Sequence, residues 1–145
     1  MSRKNTPLHV RRHVRFEELG ALLAVREMLD RGLFPHAACV GASPNSNLDE
    51  PARRFRMLEA FKNDGCKTIS CIGGTMALVM RFKTDESKRN YVGTSDGDGF
   101  RSNSLQTLFY PPRSMNWDRI TPRVAVRAID NWLATGRPNW KKALG

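Results

Sequence analysis

Four groupings of residues in this chain have the types and spacings that chemistry uses. Asp96-Gly97-Asp98-Gly99 alternates carboxylates with glycines, as the first half of a calcium loop does. The closing bidentate glutamate of such a loop is missing, and Leu105 stands in its place. Glu86 and Lys88 form an E-x-K pair, the spacing by which a strand in metal-dependent nucleases holds a cation and orients a water. They fall in the charged segment TDESKR, residues 84–89, which has no apolar flank and reads as a solvated turn. His36 and Cys39, together with Cys66 and Cys71, would supply zinc-type ligands, but the C-x-x-C knuckle spacing is absent. His9 and His13 fall at i, i+4, a metal pair if helical, yet Arg11 and Arg12 between them oppose a cation. No cysteine has a histidine in a recognisable nucleophile–base context, and the turn-forming stretch 41–47 lacks the glycines of a phosphate loop. No catalytic residue, metal or cofactor is therefore expected.

The chemistry that remains is that of cations. The chain of 145 residues carries 24 Lys and Arg against 14 Asp and Glu, for a net charge of +10 and a pI near 10.3. Placement matters more than the total. Arg3, Lys4, Arg11, Arg12 and Arg15 occupy residues 1–15 without an acid. Arg113, Arg119, Arg123, Arg127, Arg137, Lys141 and Lys142 outnumber Asp118 and Asp130 over 111–145. The stretch 16–110 is balanced, so a neutral body carries two cationic ends, which points to an anionic partner. Arg119, Arg123 and Arg127 recur every four residues, a helical stripe able to lie along phosphates, with Asp130 placed to neutralise part of it. Phe100 beside Arg101, Tyr110, and Trp140 among Arg137, Lys141 and Lys142 are candidate stacking groups for unpaired bases.

The elements that must position these residues follow from periodicity. Residues 15–31 carry an apolar stripe at helical spacing, from Phe16 through Leu19, Leu22, Val25 and Leu29, with Glu17 and Glu18 first and Arg31 last. Residues 37–40 suit a short strand, and 50–62 a helix capped by Asp49 and stopped by Gly65. Residues 67–83, KTISCIGGTMALVMRFK, read as a hairpin turning at Gly73-Gly74, with Cys71 opposite Met76 and Ile69 opposite Leu78 on one apolar face. Residues 90–94 would add a third strand, and 105–110 a fourth strand or a helical turn. Thr121, Pro122 and Gly136 bracket a helix over 121–134.

The resulting expectation is an α+β domain: a three- or four-stranded, mostly antiparallel sheet centred on the 67–83 hairpin, packed with three helices. A basic arm, 1–14, precedes the domain, 15–136, and a basic tail, 137–145, follows it. No apolar run reaches the roughly 18 residues of a membrane span, no secretory signal is evident, and the three cysteines suit reduced thiols in the cytoplasm. The function expected is non-catalytic binding of DNA or RNA through phosphates, without sequence specificity. A module or inhibitor docking on an acidic protein surface is the alternative. A metal-dependent nuclease built on Asp96, Asp98 or Glu86 comes third.

Overall fold

The computed structural model describes residues 14–31, 61–64, 67–94 and 105–145. The elements are α1 (Phe16–Arg31), β1 (Phe61–Asp64), β2 (Lys67–Ser70), α2 (Ile72–Val79), α3 (Asp85–Thr94), α4 (Gln106–Phe109), a 3-10 turn (Trp117–Arg119), α5 (Pro122–Thr135) and α6 (Trp140–Leu144). The fold is helical, which overturns the expected α+β domain. The strands among the described residues are the two four-residue segments β1 and β2, paired antiparallel with Phe61 opposite Ser70 and Asp64 opposite Lys67. Lys67–Ser70 is extended as the pattern predicts, but its partner lies upstream rather than at 75–83.

The error begins at Gly73-Gly74, which lies inside a helix instead of a turn. Cys71 caps α2: its Sγ accepts from the Gly74 amide at 3.4 Å, and its carbonyl accepts from the Thr75 hydroxyl at 2.7 Å. Ile72, Gly73, Gly74, Thr75, Met76 and Ala77 are all buried. A helix that is apolar all round belongs in a core, and its short run has no face by which periodicity could tell it from a strand. Glycine serves a packing need here. A Cβ on Gly73 would meet three ring carbons of Phe109 at 3.1 Å, so the side chain is omitted where α4 crosses α2. The helix ends in a Schellman motif, with the Phe82 amide bonded to the Ala77 carbonyl and the Arg81 amide to that of Leu78, both at 3.1 Å. Arg81 takes the left-handed position, φ 64°, that glycine usually fills.

Two further expectations fail for related reasons. Residues 90–94 are the end of α3, not a strand, and the charged turn before them is the start of the same helix. Thr84 and Ser87 form a reciprocal cap: the Ser87 amide donates to Thr84 Oγ1 at 3.0 Å and the Thr84 amide to Ser87 Oγ at 3.2 Å. The helix expected over 50–62 gives way to strand at Phe61 and Lys62; residues 50–60, like the strand proposed at 37–40, lie outside the described residues. Residues 105–110 form the helical turn α4, one of the two forms expected of them.

Two helices are where the pattern places them. In α1 the stripe Leu19, Leu22, Val25 and Leu29 is buried, although Phe16 is 67% exposed. In α5 the Thr121 Oγ1 accepts from the Val124 amide at 3.3 Å, Pro122 opens the helix, and Gly136 closes it at φ 86°. Helix α1 packs on α2 and α5, α2 on α3 and α4, and α6 on α5. Trp132, Phe109, Leu22, Met76 and Ile129 lie at the centre of this core. Glu18 is buried with them: its Oε2 accepts from the Tyr91 hydroxyl at 2.5 Å and its Oε1 from the Arg15 amide at 3.1 Å. Burying a carboxylate without such donors would cost several kcal/mol, on the order of its desolvation penalty.

Candidate nucleic-acid interface

Of the cations of 111–145, Arg119, Arg123, Arg127, Arg137, Lys141 and Lys142 lie on α6 or line a concavity at one of its ends. The 3-10 turn sets the first of them: the Arg119 amide donates to the Asn116 carbonyl at 3.0 Å and the Ile120 amide to that of Trp117 at 3.1 Å, with Ile120 buried as the anchor. Arg123 and Arg127 stand one turn apart on the exposed side of α5, opposite the buried Ala125, Ile129 and Trp132. Arg119, Arg123 and Arg127, with Thr121, Val124 and the end of α6, line one open concavity of about 410 Å³; among the described residues no acidic side chain lines it. Arg127 also donates from NH1 to the Ala143 carbonyl at 3.3 Å, which fixes α6 beside the concavity.

Asp130 does not neutralise this stripe. Arg26 of α1 takes it in a bidentate pair, Nε to Oδ1 at 2.7 Å and NH2 to Oδ2 at 3.0 Å, which raises the Arg26 pKa through that hydrogen bond first. The one acid in the exposed face of α5 is thus bound to a neighbouring helix.

A second concavity, about 770 Å³, lies at the other end of α6. Tyr110, Pro112, Pro138 and Trp140 give it apolar walls, and the exposed Arg137 and Lys141 also line it. Trp140 is 4% exposed and its indole N–H donates to the Thr107 carbonyl at 2.9 Å, so its ring serves as wall and anchor. Tyr110 is 47% exposed, its ring tilted against Trp117 at 6.5 Å. Burial, and then the neighbouring Cys71, push the Tyr110 phenol up, so it stays neutral at physiological pH. The connecting loop is fixed: the Gly136 amide bonds to the Trp132 carbonyl at 2.8 Å, Asn131 Nδ2 to the Pro138 carbonyl at 2.9 Å, and Asn139 sits at φ 51°.

The other sequence-selected residues are placed differently. Arg15 is held by carboxylates, Nε to Glu18 Oε1 at 3.1 Å and NH1 to Glu17 Oε1 at 3.3 Å, and the Glu18 hydrogen bond chiefly raises its pKa. Lys142 and Arg113 are exposed but line neither concavity. Arg3, Lys4, Arg11, Arg12, Phe100 and Arg101 lie outside the described residues, as do His9, His13, His36, Cys39, Cys66, Asp96 and Asp98. Glu86 is exposed and Lys88 buried, two residues apart on α3, so they diverge instead of sharing the face a strand would give them. Among the described residues no three His, Cys, Asp or Glu side chains come together as a metal cluster, and no helix is long and apolar enough to cross a membrane.

Sequence reasoning found the arginine stripe and the tail but missed that they share α6. The hint was the i, i+4 spacing of Arg123 and Arg127; the fold of 136–145 back onto α5 has no periodic signal. No family model, curated protein or solved structure matches the chain, so its site is read from its own geometry.

Proposed function

We propose that this protein binds nucleic acid through its phosphates and does no chemistry on it. The observation that carries this reading is the concavity lined by Arg119, Arg123 and Arg127, with Asp130, the acid on the exposed side of α5, bound by Arg26 of α1. Guanidinium groups suit phosphate because their planar donors pair with two oxygens at once. Arg137, Lys141 and Lys142 extend the positive field around α6, and Arg3, Lys4, Arg11 and Arg12 would add to it from the arm. A cytoplasmic location belongs to the same proposal.

The test is a salt titration of the protein, freed of nucleic acid, against labelled DNA and RNA without divalent metal. Binding should weaken log-linearly with salt, by about 0.7 to 0.9 in slope for each phosphate engaged. A variant carrying Arg119→Gln, Arg123→Gln and Arg127→Gln should lose about two to three of that slope. No binding at low salt would sink the proposal. Capture of a protein partner that survives nuclease treatment, in its place, would assign these cations to an acidic protein surface.

A further inference from the structure

The second concavity deepens this reading, on which it rests. We propose that the site between α4 and α6 receives an unpaired base of a single-stranded nucleic acid, with Tyr110 as the stacking face and Arg137 and Lys141 holding the adjoining phosphate. Three observations carry it. The volume, about 770 Å³, falls within the range of roughly 300–1,000 Å³ typical of small-molecule pockets, so a nucleoside fits. Its walls combine an accessible aromatic ring with prolines and a buried tryptophan, while its polar lining includes two exposed cations. This is the pairing of stacking platform and positive charge by which single strands are bound. The ring is also set in advance by Trp117, and the loop 136–139 that lines the same concavity is held by hydrogen bonds.

The two concavities are joined by one short helix. Trp140 and Lys141, at the start of α6, line the base site; Leu144 and Gly145, at its end, line the arginine site. Five helical residues span about 7 Å at 1.5 Å each, close to two stacked nucleotide steps at about 3.4 Å. A strand seated with one base against Tyr110 therefore carries a neighbouring phosphate toward Arg119, Arg123 and Arg127. A base inside a duplex is stacked on both faces, so the site selects single strands over duplex.

The experiment compares a labelled single-stranded thymidine oligomer with the same oligomer made abasic, at one salt concentration and across a salt series. The wild-type protein should bind the base-bearing strand about 5- to 150-fold more tightly, the range that one base stacked on an aromatic ring supplies. Tyr110→Ala should erase that difference and keep the salt slope. Tyr110→Phe, which retains the ring, should preserve both, and an unchanged melting temperature shows that each variant folds. Equal affinity for the two oligomers, or an intact difference in Tyr110→Ala, would overturn the base site while leaving phosphate binding standing. Polyglutamate competing as well as the thymidine oligomer would overturn it too. Absence of salt-dependent binding to any oligonucleotide would remove both proposals together.

Discussion

Helix α2 carries no charge and buries six of its eight residues, whereas α5 buries one side and presents Arg123, Arg127 and Asp130 on the other. The two helices differ in what each can be asked to do. A helix enclosed on all sides contributes packing, and every change in it is read as stability. A two-faced helix can lose its outer side chains at little structural cost, so its exposed cations are open to selection for binding. The same division separates the acids: Glu18 is spent inside, on Tyr91 and Arg15, while Asp130 is spent outside, on Arg26.

The hardest blow to this contrast comes from Phe109, which fills the space that Gly73 leaves open. Phe109→Ala should cost about 3–5 kcal/mol in chemical denaturation, as a buried phenyl loses its contacts and leaves a cavity. A loss under about 1 kcal/mol would mean that α2 and α4 are not packed as described. Tyr91→Phe comes next. It leaves the buried Glu18 Oε2 without its hydroxyl donor, and the unfolding free energy should fall by about 1.5–3 kcal/mol, the worth of a hydrogen bond to a charged group. Salt slopes for nucleic acid should be unchanged in both variants, provided they are measured where the protein is folded.

A gain is expected at the end of α2. Arg81 sits at φ 64°, a conformation costing an L-residue about 1–2 kcal/mol, part of which glycine gives back as unfolded-state entropy. Arg81→Gly should raise stability by about 0.5–1 kcal/mol, visible as a higher denaturation midpoint. The smallest structural effect belongs to the outer face. Arg119→Gln, at an exposed position, should shift stability by less than about 0.5 kcal/mol while lowering the salt slope by about 1. If it destabilised the fold as Tyr91→Phe does, the separation of packing from binding would fail.

Sequence patterns were informative where an element is two-faced. Helices α1 and α5 repeat apolar residues every three to four positions and carry their own boundary signals, so both were legible, with Thr121, Pro122 and Gly136 marking α5 closely. Helix α2 was not. Its eight residues contain no polar face, its cap is a cysteine, and its C-terminal left-handed position holds arginine; the glycine pair then read as a turn. The start of α3 was missed because Ser87 completes the cap where glutamate or glutamine is the familiar signal. In the site, the stripe of Arg119, Arg123 and Arg127 was legible from spacing, but its relation to Asp130 was not, since the partner that removes Asp130 lies 104 residues away in the chain.

By itself, then, the sequence determined the charge at the two ends, the two amphipathic helices and the residue types able to meet phosphate. All of these depend on composition or on neighbours within one helical turn. Tertiary structure alone decided that the glycine pair is helical, that Trp140 is buried, and that Tyr110, Arg137 and Lys141 line one concavity. Those outcomes rest on burial and on contacts between distant segments. Burial can override local propensity, and long-range contacts leave no period in the chain.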